Sequence, residues 1–338
     1  MAENSKIEWT DHTFNPWEGC QKVGPGCDHC YAETRNARFG GGRPVNWGPG
    51  APRRRTSAAN WRKPLSWNGS PFFQCLDCGW RGHDAGKING GLPVCPVPKC
   101  ASLRLTPARA RVFCASLADV FDNAVDPAWR RDLFDLIELT PHLDWLLLTK
   151  RIGNVARMLP THDWAARPNV WLGASIVNQA EADRDIPKLL AVPARRRFLS
   201  MEPLLGLVDL GRASRLAAFH ANEVLDWVIC GGESGRAARP MNPAWVYSLR
   251  DQCQTAGIPF LFKQWGEWGR AGIHASGQPG RYALAPREGW FSEGAPTPTE
   301  LERYPRQYLA LGSDVVERVG KAAAGRLLDG REWNEVPR

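Results

Sequence analysis

The chain has 338 residues, enough for one large domain or two modest ones, and its 43% hydrophobic and 23% charged content is that of a globular rather than a disordered protein. With no apolar stretch of signal-peptide length at the amino end and no apolar run of about 18 residues, the sequence reads as cytoplasmic, without a membrane partner. A formal charge of +8 favours an anionic partner, nucleic acid first among them.

In chain order, a first strand is expected around Ile7–Phe14, followed by a loop carrying Cys20, Cys27 and Cys30. Residues 35–70, rich in Arg, Gly, Pro and Trp, read as an irregular crossover, and 71–107 as a Cys-rich insertion. Six almost continuously apolar runs follow, at 111–117, 144–150, 169–176, 196–201, 226–232 and 259–265, as expected of strands buried on both faces of a parallel sheet. Helix-compatible stretches separate them. Asp126–Leu139 has Pro127 near its start, and Pro243–Ala256 follows a capping Asn242 and stops at Gly257. Beyond residue 266 lies an extension ending in a helix-compatible stretch, Asp314–Leu328.

Strands alternating with helices give right-handed βαβ units. The expected fold is therefore α/β, a full or partial (β/α) barrel from residues 1–70 and 108–265, with 71–107 inserted and 266–338 appended; a doubly wound sheet is the alternative. In a barrel, chemistry gathers at the carboxyl ends of strands. That rule selects Asp119 and Asp122, Glu202, the glycine-rich turn Gly231-Gly232-Glu233, and Lys263 with Gln264.

Ten cysteines are many for a reducing compartment, and seven fall in two tight groups, which points to metal rather than disulfides. Cys20, Cys27 and Cys30 follow the first strand, and Gly24, Pro25 and Gly26 let the chain wrap around a common site. Thiolates are the ligands of iron–sulfur clusters, and three of them on a four-iron cluster leave one iron open. A zinc knuckle with His29 or His12 as fourth ligand is the other metal reading. Ordinary buried cysteines are the third. Cys114, Cys230 and Cys253 lie within strand or helix patterns and read as core.

Cys75-x2-Cys78 and Cys95-x4-Cys100, sixteen residues apart, approach the zinc-ribbon template of four thiolates on one tetrahedral ion. An auxiliary iron–sulfur cluster is the alternative. Arg81, Lys87, Lys99 and Arg104 surround this group, and Arg53–Arg55, Arg195–Arg197 and the tryptophans Trp47, Trp61 and Trp67 combine cations with aromatic faces that could hold bases. No GxSxG elbow, P-loop or HExxH occurs.

The segment FNPWEGCQKVGPGCDHCYAE (14–33) resembles the three-Cys loop of the radical S-adenosylmethionine (SAM) superfamily. Together with RVFCASLADVFD, LLLTKR, WLGASIVNQ, SMEPLLG, WVICGGESG, FLFKQWG and GKAAAGRLLDGREW, it is still more similar to a phage-associated three-Cys-motif family of uncertain function. The resemblance implies a radical SAM barrel and a [4Fe–4S] cluster on Cys20, Cys27 and Cys30. SAM would bind the open iron near Lys150, in a TK segment similar to spore-photoproduct-lyase-like enzymes, and near Ser175, with Asn178 a further candidate. It also implies a separately encoded partner protein. Six residues between Cys20 and Cys27, where the superfamily commonly has three, and His29 in place of an aromatic residue are departures. A GGE motif binds the SAM amino group elsewhere, but there it follows the second strand, so that role is not carried to Glu233. The expected function is modification or repair of a nucleic acid by 5′-deoxyadenosyl radical chemistry. A non-catalytic, zinc-containing binding or scaffold protein is the alternative.

Overall fold

The computed structural model describes residues 5–88, 91–216, 225–270, 282–285 and 314–337. Seven strands form the main sheet: β1 His12–Phe14, β2 Ala110–Cys114, β3 Leu143–Thr149, β4 Val170–Ser175, β5 Arg196–Met201, β6 Trp227–Gly231 and β7 Phe260–Gln264. Each of the six apolar runs overlaps one of β2 to β7. They lie side by side in chain order and every pairing is parallel. A doubly wound sheet reverses its strand order at a switch point. The serial order excludes that alternative, and the sheet curls into a half barrel.

Two of the covering helices are set by their ends as the sequence predicts. The Asp126 side chain accepts from Ala128 N at the start of α3 (Pro127–Glu138), which buries Leu133, Phe134 and Ile137. Asn242 accepts from Ala244 N at the start of α7 (Pro243–Ala256), and Gly257 ends it in the left-handed conformation, φ 68°. Between these two come α4 (Ile152–Met158), α5 (Gln179–Ala191) and α6 (Leu210–Leu216); before them, α1 (Tyr31–Phe39) and α2 (Ala58–Gly69) follow β1.

Strand alternation explains where the cavity opens. Successive side chains point to opposite faces, so every second residue faces inward. Toward the strand starts these positions are Phe113, Leu146, Trp171, Phe198, Trp227 and Leu261, which with Trp9 and Ile229 form a buried plug. Gly173 makes room in it, since a Cβ there would lie 2.3 Å from Phe198 Cζ. Further along each strand the same face carries Ala115, Lys150, Ser175, Ser200, Glu202 and Lys263. Large apolar residues thus fill one end of the half barrel, and small or polar ones leave the other end open.

The Cys-rich insertion is a separate small unit. Phe73–Cys75, Arg81–Gly82 and Leu105–Pro107 form a three-stranded antiparallel sheet, and Gly86–Ile88 pairs with Leu92–Val94. It docks beside the amino ends of β1 and β2, opposite the open end. Arg81 Nη2 donates to Asp11 Oδ2 at 3.0 Å, and His83 stacks on His12, which in turn stacks on Trp67 with ring centroids 4.4 Å apart.

The helix expected over Asp314–Leu328 is instead a strand, Asp314–Arg318, and a single turn, α8 (Lys321–Ala324). Gly320 and Gly325, both at positive φ (86° and 67°), bound that turn, and the β-branched pair Val315–Val316 suits the strand. Residues 333–335 then run along the free edge of β7, where Phe262 N donates to Trp333 O at 2.9 Å. Asp314–Arg318 lies between Trp268–Arg270 and Tyr282–Ala285 in an antiparallel sheet, and residues 271–281, 286–313 and 338 of the extension lie outside the described residues. No described helix is long and apolar enough to cross a membrane.

Candidate functional site

The loop after β1 brings its cysteines to the open end of the half barrel. Gly48 N donates to Cys20 O, a turn at Pro25–Cys27 is closed by Cys27 N donating to Gly24 O, and Cys30 begins α1. The glycines between them are required by close packing: a Cβ at Gly24 would lie 2.6 Å from Glu181 Oε1, and one at Gly26 2.7 Å from Val177 Cγ1. All three cysteines line one cavity of about 900 Å³, together with Lys150, Ser175, Glu202, Glu233, Lys263, Gln264 and Asp119. That volume is at the upper end for small-molecule and cofactor sites. Residues chosen from six separate strand ends and one loop therefore share a single chamber.

Arg151, which the sequence reading passed over beside Lys150, is central to it. Its Nη1 donates to Cys20 Sγ at 3.4 Å and to Asp119 Oδ2 at 3.0 Å, and its Nη2 donates to Gln21 O. Burial pushes the Cys20 thiol up to about 11, with Arg151 opposing the shift, and burial also raises Cys30. A bound metal's charge reverses that preference and favours the thiolate.

Sulfur spacing separates the two cysteine groups. Zinc–sulfur bonds of about 2.3 Å put the sulfurs of a tetrahedral site about 3.8 Å apart. Cys75 Sγ lies 3.7 Å from Cys100 Sγ and Cys78 Sγ 3.5 Å from Cys95 Sγ, and all four fall within 4.8 Å of one another. Backbone N–H groups of Cys78 and Asp77 draw the Cys75 thiol down to about 7, while burial pushes its neighbour Cys95 up to about 12; a bound cation would favour the thiolate at all four. Among the described residues no other group of three or more Cys, His, Asp or Glu donors is gathered so closely. Cys20, Cys27 and Cys30, with or without His29, are not gathered to within 4.8 Å of one another as the second group is. A four-iron cluster attaches each thiolate to a different iron and so asks for a wider set than a single ion does.

Both histidines offered as a fourth ligand have other roles in this structure. His12 is packed between Trp67 and His83. His29 Nδ1 lies 3.1 Å from Glu233 Oε2. Burial would raise the Glu233 carboxyl, but Arg239, bonded to both its oxygens, and His29 hold it below the ordinary value. Arg239 also reaches Asp28 and the Pro25 carbonyl, so Glu233 and Arg239 clamp the cysteine loop to the end of β6.

Two other pairs face the cavity. Lys150 Nζ donates to Ser175 Oγ at 3.2 Å, and Lys263 Nζ to Glu202 Oε1 at 2.7 Å. Gly231 leaves space for the Glu202 carboxylate, and Gly232 packs so tightly that a Cβ would lie 1.9 Å from Trp265 O. Gly232 itself lines the cavity, so packing alone requires glycine at a position whose backbone borders the chamber.

Two of the expected residues, Asn178 and Asp122, lie away from the cavity. Asn178 is the N-cap of α5, its side chain accepting from Glu181 N. Asp119 lines the cavity as expected, and there accepts from Thr149 Oγ1, Phe121 N, Lys150 N and Arg151, the bonding of a positioning group. Asp122 is fully buried and pairs with Arg53 at 2.7 Å, away from the cavity. Arg53 Nη1 in turn holds the carbonyls of Asn46, Gly48 and Ala51, fixing the segment that carries Trp47 to the cavity wall. Breaking a buried pair leaves an uncompensated charge, so Asp122→Ala is expected to lower unfolding stability by about 3–5 kcal/mol, read by urea denaturation.

The basic and aromatic clusters are mostly engaged within the chain. Arg53 and Trp67 are buried, Arg55 lies over Trp61 at 4.2 Å, Arg54 pairs with Glu18, and Arg104 pairs with Asp77. Trp47 alone of those three tryptophans lines the cavity. A family model described as "Protein of unknown function (DUF5131)" matches residues 4–337. No curated protein and no solved structure matches the chain.

Proposed function

The chain belongs to the DUF5131 family, whose description assigns no activity, and we propose from its geometry that it is a radical-SAM-like iron–sulfur enzyme acting on a nucleic acid. One observation carries the proposal: three thiols from a single loop, not drawn together as the four of the insertion are, share a cavity with two lysines at the carboxyl ends of a curled parallel sheet. Cys20, Cys27 and Cys30 would hold the [4Fe–4S] cluster, with SAM at its open position. When bound, the reduced cluster supplies an electron that cleaves SAM to a 5′-deoxyadenosyl radical able to abstract hydrogen from a substrate.

The chain's own residues do the rest. Lys150, oriented by Ser175, presents a point charge to a carboxylate. Arg151 sets positive charge against Cys20, offsetting negative charge on that sulfur. The aromatic plug behind the cavity keeps water from its closed end. The net charge of +8 supports an anionic substrate, and the sequence resemblance supports a separately encoded protein partner. In the insertion, Cys75, Cys78, Cys95 and Cys100 would hold a structural zinc ion.

Anaerobic purification tests the reading. Brown protein with about four irons per chain, releasing 5′-deoxyadenosine from SAM under reduction, is expected. Colourless protein carrying zinc alone would overturn it in favour of a non-catalytic binding protein.

A further inference from the structure

The Glu202–Lys263 pair faces the cavity but serves neither the cysteine loop nor the Lys150–Ser175 pair. The two groups stand on β5 and β7, and they meet across β6 because Gly231 has no side chain to separate them; a Cβ there would lie 3.2 Å from Glu202 Oε1. Each side chain is 18% exposed. Half-buried pairs of this kind gain little stability once desolvation is counted. Among the described residues neither group has another hydrogen-bond partner. Glu202 therefore keeps one oxygen wholly unused, and Lys263 keeps two N–H donors.

We propose that Glu202 and Lys263 form a subsite that reads the Watson–Crick edge of guanine. The two carboxylate oxygens accept side by side, and the ammonium beside one of them donates. Their complement is a ligand edge with two neighbouring donors followed by an acceptor. Guanine presents N2–H, N1–H and O6 in that order. Adenine and cytosine each offer one donor group beside an acceptor, and uracil a single donor between two acceptors. A base taken out of its stack is read in this way, by hydrogen bonds to that edge and by stacking on aromatic walls. Trp9, Phe113 and Trp47 line the same chamber. The inference deepens the proposed function, because it names the base that the nucleic-acid substrate would deliver.

Equilibrium dialysis of the full chain, as isolated anaerobically, against guanosine, inosine, adenosine and cytidine tests it. Guanosine is expected to bind about 10- to 100-fold more tightly than inosine, which lacks the N2 donors, from the worth of a charge-assisted hydrogen bond. Glu202→Gln, which exchanges one acceptor for a donor, is expected to abolish that preference, and Lys263→Met to weaken guanosine and inosine together because both carry O6. Unchanged melting of each variant, followed by circular dichroism, shows that the fold is retained. Equal binding of guanosine and inosine, full selectivity in Glu202→Gln, or displacement of guanosine by free glycine (the mark of a zwitterion site) would each overturn the inference. Iron and SAM cleavage without guanosine selectivity overturns this inference alone. Guanosine selectivity in colourless, zinc-only protein upholds it and removes the enzyme reading.

Discussion

Replacing Cys27 by alanine is expected to reduce iron in anaerobically isolated protein from about four per chain to well below one and to end 5′-deoxyadenosine release. The expectation rests on how the loop is built. Cys27 is the innermost of the three cysteines, 8% exposed, in a turn closed by its own N–H on Gly24 O and packed against Val177 through Gly26. Among the described residues no histidine or carboxylate completes a compact donor set in its place. The substitution removes only a sulfur, so the melting curve of the iron-free protein should move little, by the equivalent of about 1 kcal/mol. Undiminished iron in the variant would show that the loop does not hold the cluster.

The second large effect is expected in the insertion. On the proposed assignment of a structural metal to Cys75, Cys78, Cys95 and Cys100, removing it by Cys95→Ser or with a strong chelator should unfold residues 71–107 while the seven-stranded sheet persists. Leu76, Leu92 and Leu103 are more than half exposed, and the described buried side chains of this unit are chiefly Phe72, Cys75 and Cys95, too few for an independent core. Structural zinc contributes roughly 10–16 kcal/mol in comparable small motifs, so its loss leaves almost nothing to hold the unit together. Limited proteolysis should then cut between residues 76 and 104, and elemental analysis should find one metal ion fewer per chain. Resistance to protease in the metal-free state would refute this account.

Much of the fold was legible because its strands are buried on both faces. An apolar run such as DWVICGG announces itself whatever its neighbours. The strand order followed from helix-length connections. The short β1 was harder to place, since three residues carry little pattern. The error at Asp314–Leu328 came from weighing apolar spacing above Gly320 and Gly325, which cut the stretch. At the site, position after a strand selected the right neighbourhoods but could not separate near neighbours. Asp119 and Asp122 lie three residues apart, yet one borders the cavity and the other is sealed beneath it with Arg53. Capping by Asn178 is legible in the sequence, since Glu181 stands three positions on; its Oε2 reaches back to accept from Val177 N, just before the cap. Arg151 carried no signal beyond standing next to Lys150. Its role exists only once β3 is brought beside the cysteine loop.

The supports of that loop also set an order of events during synthesis. Cys75 to Cys100 leave the ribosome within one short stretch and can gather an ion as soon as they appear. The earlier trio is held by Arg151, Glu181 and Arg239, the last of which is translated about two hundred residues after Cys30. On the proposed assignment the insertion is metallated while the chain is nascent. On the same assignment the iron centre is delivered afterwards, through the open end of the folded half barrel, by a donor able to reach a preformed cleft.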